Sequence, residues 1–527
     1  MKKIFKNGKI YTFDRNQPFV QAVVVENGRF IDIGSTDEMI LQWGRSDTKI
    51  VDLEGNAVTP GLIDSHLHLS LIAKSFLQLD VTGVSSKEAL LQKIQLYASE
   101  LDKDEWIVGR GWDENLFKDA SIPTIEELDR VAPHHPLFLT RICEHAHLVN
   151  SKALEISGYH PTISVPDGGQ IVRDPRTNKP TGLLLETASE MITRNIPPVP
   201  YNKLKEALKK AMQYVIKQGL TSVHTNDPRS LGGFNQTYQM YDELLNKDDI
   251  GLRCNLLIDH PFLPELKKNS MYAGFGNETL QIGAVKIFAD GAFGRRTALL
   301  SEAYSDAPDI YGEAIHDQET LYEIVRQARS LNMPVAAHTI GDQAVENVLN
   351  ILDQFPSVAY RDRLIHTSVL RGDLIERLVD KMKVIDVQPR FLVSDFPWIQ
   401  DRLGKRTRWA YPWKTLLNAG VLASGSSDAP IEPVNPLLGI HAAVTRRKPN
   451  ETHEGYFPEE KLTVEEAFRL FTVMGAYPTN EEKIKGTISR GKLADMTVFS
   501  KDPFTLNDID LLLETSVDMT VIGGKIR

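Results

Sequence analysis

Two cysteines, Cys143 and Cys254, are all that 527 residues contain, so neither a disulfide framework nor a cysteine-rich zinc site is available. Long apolar runs are missing too: none approaches the roughly 20 residues that a membrane-crossing helix needs. The first residues, through Asn16, are basic in places but have no apolar stretch behind them, so a secretion signal is not expected. Positive charge is in short supply. Sixty Lys and Arg face 70 Asp and Glu, a net charge of −10, and no basic block occurs. That argues against an electrostatically driven binder of nucleic acid or anionic membrane. If a metal is bound, nitrogen and oxygen must hold it.

What is present is globular: 42% hydrophobic and 25% charged residues, with 35 Gly and 28 Pro, which excludes a disordered, fibrous or coiled-coil chain. The length exceeds one ordinary core at about 150 residues per domain, although α/β barrels run past 250 as a single domain. Both ends read as strand and turn, with Asn7-Gly8 and Asn27-Gly28 near the start and Gly523-Gly524 near the finish. They predict one small sheet domain built from 1–58 and 487–527 together. Between them, buried-type strand runs at 58–65, 221–225, 253–258, 284–289, 334–339, 363–367, 383–388 and 420–427 alternate with helix-periodic stretches such as 203–218 and 318–331. Eight strands in this rhythm predict an α/β fold of the (β/α)8 TIM barrel type over 59–486. The rhythm fails at 79–200, which holds its own strands (106–109, 136–141) and helices (87–101, 150–158). An inserted lobe after strand one is expected there, above the barrel mouth.

The strongest local signal is Pro60-Gly61-Leu62-Ile63-Asp64-Ser65-His66-Leu67-His68. Side chains two apart share one face of a strand, so His66 and His68 aim two imidazoles at one point, a pair suited to zinc or a similar ion. Later strand runs end on Lys286, His338, His366 and Asp428. In a parallel barrel all these ends open on the same face and can converge. A lysine in a buried run is costly as an ammonium but sensible if carboxylated to an anion.

These residues carry a resemblance. His-x-His after strand one, Lys on strand four, His on strands five and six and Asp after strand eight resemble the metal-dependent amidohydrolase superfamily. Within it the likeness is to the YtcJ-like branch, which includes N-substituted formamide deformylases. The matching stretches include Gly111-Trp112-Asp113-Glu114, Lys286-Ile287-Phe288-Ala289-Asp290-Gly291, His338-Thr339-Ile340-Gly341-Asp342 and Ser427-Asp428-Ala429-Pro430. One departure is Cys143-Glu144-His145, where the family more often has an acidic residue and Gly before the His. The resemblance implies a barrel flanked by a β-sandwich from the two termini, with one or two divalent metal ions, zinc foremost. His66 and His68 would hold the more buried metal with Asp428, a carboxylated Lys286 would bridge, and His338 and His366 would hold the second. The implied reaction is hydrolysis of a non-peptide C–N bond in a small amide, N-formyl or N-acyl compound by metal-activated hydroxide, with Asp428 as general base and then acid. Asp64 reads either as an orienter of an imidazole or as a solvated carboxylate at a strand end.

Trp112, His145, His224, Arg295 and Arg296 are candidate substrate contacts, each with a plain structural reading beside it: core packing, a satisfied histidine, a solvated or paired arginine. Cys143 reads as a buried, inert thiol. Two alternative functions stay open, an esterase, lactonase or phosphoesterase on the same scaffold and a non-catalytic scaffold protein. The expected partner is a small-molecule substrate, with no nucleic acid and no membrane. The expected setting is cytoplasmic, and a homodimer is the assembly to test for.

Overall fold

The apolar run that starts at Ala57 serves two sheets. Ala57–Pro60 pairs in parallel with Lys9–Tyr11 and antiparallel with Met496–Phe499. Leu62–Leu67 pairs in parallel with Leu220–Thr225. The change of sheet falls at Gly61, where a Cβ would stand 2.3 Å from Thr221 Oγ1, so no other residue fits without displacing the neighbouring strand. The single barrel strand expected at 58–65 is therefore two short ones, because nothing in a continuous apolar run marks which sheet receives it.

The computed structural model describes residues 2–118, 121–143 and 145–527. The chain separates into two units, Met1–Leu71 with Ala211–Arg527, and Ile72–Lys210. The first contains the barrel. Its strands are β1 (Leu62–Leu67), β2 (Leu220–Thr225), β3 (Arg253–Asp259), β4 (Leu280–Phe288), β5 (Val335–Thr339), β6 (Asp362–His366), β7 (Lys383–Val387) and β8 (Ala423–Gly425). Each neighbouring pair from β1 to β8 is parallel. The strands are buried on both faces, which explains why they read as apolar runs without alternation. β8 is shorter than the expected 420–427. The seam between β8 and β1 closes through individual bonds. Ser65 Oγ donates to the Gly425 carbonyl at 3.1 Å, the Asp428 N–H to the His66 carbonyl at 2.8 Å, and the His68 N–H to the Ala429 carbonyl at 2.8 Å.

The termini form two facing sheets. One has four strands (Lys3–Lys6, Ala22–Glu26, Arg29–Gly34, Lys49–Asp52); the other has six, from Phe19–Val20 to Lys525–Ile526, with Met496–Phe499 and Ala57–Pro60 at its centre. Phe5, Val23 and Phe30 from the first share a core with Val58, Met496, Val498 and Val521 from the second. Each such side chain contributes about 1.5–3 kcal/mol on burial.

The second unit has its own six-stranded sheet, ordered Gln170–Arg173, Pro180–Leu185, Ala146–Val149, Leu137–Arg141, Ile107–Trp112 and Leu79–Asp80. Helix Lys87–Ser99 buries Leu90 and Ile94 against Ile107, Leu137 and Leu139. The hairpin Gln170–Arg173 with Pro180–Leu185 lies in a stretch whose turn residues conceal it at the level of sequence. Among the described residues no helix is long and apolar enough to cross a membrane.

Candidate metal centre

β1 delivers His66 and His68 to the C-terminal end of the barrel, their rings 5.2 Å apart. Asp428, three residues past β8, places Oδ1 3.4 Å from His66 Nε2 and 3.2 Å from His68 Nε2. Among the described residues these are the one group of three His, Cys, Asp or Glu whose ligand atoms all lie within 4.8 Å of one another. The two backbone bonds at the seam hold them there. Asp428 has φ +58° and His366 has φ +76°, left-handed conformations that cost of order 1–3 kcal/mol each and persist only where the surroundings enforce them. Asp64 is fully buried and accepts from the Ser427 hydroxyl at 2.6 Å and from the N–H groups of His66 and Ser427 at 3.1 Å. It meets neither reading made from sequence, because it fixes the backbone on both sides of the seam rather than an imidazole ring. Burial raises its pKa to about 7.

Lys286 stands inside β4 with 1% of its surface exposed, its Nζ 3.4 Å from His66 Nε2. Burial lowers its pKa to about 8, so about a tenth of the amine is uncharged at pH 7. β5 and β6 bring His338 and His366 beside it, with ring centroids 4.5 Å apart, and His366 lies 5.9 Å from His66. The structure thus gathers His66, His68, Lys286, His338, His366 and Asp428 at one barrel end.

The donor set fits a divalent cation. Three imidazoles each commit one nitrogen to an acceptor: His68 Nδ1 to the Asn226 carbonyl at 3.1 Å, His366 Nδ1 to Gln388 Oε1 at 2.8 Å, and His338 Nε2 to the Gly291 carbonyl at 3.0 Å. A ring that donates there keeps the lone pair on its other nitrogen, the form that ligates metal. Asp428 Oδ1 and His66 Nδ1 are buried without a hydrogen bond among the described residues. Burial opposes charge on His68, yet the negative charge of Asp428 beside it outweighs burial and raises the imidazole pKa. Burial likewise pushes Asp428 up, but His68, His366 and Lys286 together hold its carboxyl below the ordinary value. A proton can serve one His–Asp pair. A divalent cation serves both histidines and the aspartate at once. Adding zinc to chelator-treated protein is accordingly expected to raise Tm, reflecting about 2.7 kcal/mol of stabilisation at a free-ion concentration of 100 Kd. Differential scanning fluorimetry reads the shift, and an unchanged Tm would argue against this donor set as a metal site.

The sequence-derived substrate contacts are scattered. His224 is fully buried in β2, beside Ser65 and the charges of Arg363 and Lys485, with no surface for a ligand to touch. Arg296 is tied to Asp306 at 2.7 Å, while Arg295 is exposed on the same short turn. Trp112 and His145 belong to the second unit. The Trp112 indole donates to the Leu139 carbonyl at 3.1 Å, His145 Nδ1 meets Glu186 at 2.9 Å, and both line a pocket of about 590 Å³ there. Cys143 is exposed, not buried; hydrogen bonds from the His145 N–H and Arg141 outweigh burial and lower its thiol pKa. Glu144, part of the departure from the family pattern, lies outside the described residues. Sequence reasoning passed over Asn226 and Gln388, which fix two of the imidazoles. The available signal was a polar side chain at or just beyond the end of a barrel strand.

An eight-stranded parallel barrel with this histidine, lysine and aspartate set at its C-terminal end defines a metal-dependent hydrolase architecture. The chain belongs to the amidohydrolase family: residues 49–527 match the family model Amidohydro_3, described as Amidohydrolase family. It is 41% identical over 530 residues to YtcJ of Bacillus subtilis strain 168, covering 100% of this chain and 99% of that one. To the N-substituted formamide deformylase of Arthrobacter pascens it is 26% identical, covering 99% and 97%. The crystal structure of an uncharacterized metal-dependent hydrolase from Pyrococcus furiosus superposes with a TM-score of 0.79 at 29% identity, covering 96% of this chain and 100% of that chain.

Proposed function

We propose that this amidohydrolase cleaves a non-peptide C–N bond in a small amide, N-formyl or N-acyl compound, with zinc as the metal. The observation that carries the reading is the buried Asp428 carboxylate, poised against His66 and His68 with no hydrogen bond on Oδ1 among the described residues. The N-formyl class is supported by the likeness to the Arthrobacter deformylase. His66, His68 and Asp428 would hold one ion; Lys286, carboxylated, with His338 and His366 would hold a second. When bound, the metal lowers the pKa of water towards about 7 and polarises a carbonyl.

The remaining work falls to the chain. Asp428, kept ionised by its cationic neighbours, takes one proton from the attacking water and returns it to the departing nitrogen, so a C–O bond forms as the C–N bond breaks. The uncharged fraction of Lys286 is the form able to add carbon dioxide. Phe391 stacks on His366 with ring centroids 5.7 Å apart, and Phe288 lies 5.5 Å from His338. These apolar walls suit a substrate with a hydrophobic substituent.

The test is release of amine and acid from N-formyl, N-acyl, carbamate and ester compounds by zinc- or manganese-loaded protein. Turnover of amides is the expected outcome. Turnover confined to esters would overturn the C–N assignment, and inactivity towards the whole panel would favour the scaffold reading.

A further inference from the structure

One corner of the barrel mouth is left unused by the proposed chemistry. Asp259, at the end of β3, is buried; Oδ2 accepts from Asn226 Nδ2 at 3.1 Å, and Oδ1 lies 2.9 Å from Arg229 Nε. Arg229 sits four residues past β2. Its side chain is 55% exposed, and among the described residues no protein group bonds its two terminal nitrogens. His260 follows Asp259, and its ring meets that of His316 edge to face at 5.2 Å. Neither ring has a hydrogen-bond partner among the described residues. Burial, then the charges of His316 and Arg229, lowers the His260 pKa to about 4, so the ring is neutral near pH 7 and free to donate or accept.

This corner is joined to the metal centre by one ring. Phe288 has the Arg229 guanidinium 5.9 Å from its centroid, the Lys286 amine 4.8 Å and the His338 ring 5.5 Å. Arg229 therefore lies no farther from Lys286 than two of those spans laid end to end, a distance that a small substrate bridges. An arginine has five N–H donors in a rigid fork. Asp259 Oδ1 forms an ion pair at the Nε side, and the terminal edge, the one that takes a carboxylate through two parallel bonds, has no partner among the described residues. Arg296 is spent on Asp306. Among the described residues Arg295 has no anchoring carboxylate, and it must lose its full rotamer freedom to bind anything. Arg229 is already held.

We infer that Arg229, aimed by Asp259 and flanked by His260 and His316, binds a carboxylate on the substrate, so that the preferred substrates are acidic N-acyl or N-formyl compounds. The inference rests on the hydrolase reading above and adds its substrate class. The water oxygen bonds to the carbonyl carbon as the C–N bond breaks and the departing nitrogen takes a proton from that water, while the carboxylate at Arg229 is chemically unchanged.

Steady-state kinetics on metal-loaded protein with N-formyl- and N-acetyl-amino acids and their C-terminal N-methylamides test it. Wild type is expected to favour the acids by about tenfold or more in kcat/KM, chiefly through KM. R229Q brings the acid-to-amide ratio close to one, R229K retains part of it, and R326Q on a remote surface helix keeps the wild-type ratio. An unchanged ratio in R229Q, or no preference in wild type, would overturn the assignment. Calorimetric titration of metal-free protein with N-acetylleucine and its N-methylamide separates the two layers. If no amide is turned over but the acid binds about tenfold tighter to wild type than to R229Q, the hydrolase reading falls and the carboxylate subsite stands. If acid and N-methylamide bind wild type alike, the subsite falls. Equal melting temperatures for wild type and R229K show that the fold survives.

Discussion

Replacing Asp428 by Asn is expected to lower kcat by about 100- to 10,000-fold, the range attached to a general base or acid. The substitution keeps the shape of the side chain and an oxygen facing His66 and His68, so the loss reports proton handling more than packing. It removes the negative charge that raises the His68 pKa. Metal content, measured by mass spectrometry on the purified variant, is expected to fall less than activity. Full activity in the variant would take the base role from Asp428, and loss of metal in proportion to activity would reduce that role to ligation.

The second large effect lies beneath the centre. Asp386 accepts from Arg363 Nε at 2.9 Å and Nη2 at 2.7 Å and from Ser424 Oγ at 2.6 Å, and the same guanidinium donates to the Ser65 carbonyl. Both charged side chains are fully buried. Asp386→Ala leaves a guanidinium in the barrel interior without its counter-charge, and a loss of about 3–5 kcal/mol is expected. Removing both charges, as in R363M/D386L, is expected to recover much of it, since two apolar groups of similar volume avoid the desolvation cost altogether. Urea unfolding of wild type, single variant and double variant checks this. A single variant within 1 kcal/mol of wild type would mean that water reaches the pair. Because Ser65 precedes His66, the single variant also loosens β1 where it carries the first imidazole.

The two histidines of β1 were legible because strand parity is local: residues two apart share a face whatever surrounds them. Lys286, His338, His366 and Asp428 were legible through a shared position, each at or near the end of an apolar run, which a parallel barrel turns into a shared face. Gly61 was opaque for the opposite reason. Whether a strand continues in its sheet or crosses to another depends on Thr221, 160 residues along the chain, and no periodicity carries that. Asn226, Gln388 and Arg229 follow strands too, but asparagine, glutamine and arginine are common in loops, and only Asp259 and the imidazoles give them a purpose. His224 misled because it ends a strand run like the ligands do, yet its side chain is enclosed inside the barrel. Cys143 misled because its polar neighbours come from Arg141 and a backbone N–H, which composition cannot reveal.

The seam has a consequence for how the protein comes into being. Asp64 and Ser427, joined at the closure, are separated by 363 residues. A ribosome must therefore deliver 428 of the 527 residues before the acid that completes the histidine pair exists. Contacts of such separation in sequence are the slow ones, since a long loop must close before they form. Closing the barrel and completing the trio of His66, His68 and Asp428 are one event, so tight capture of a metal by these residues reports that the barrel has closed.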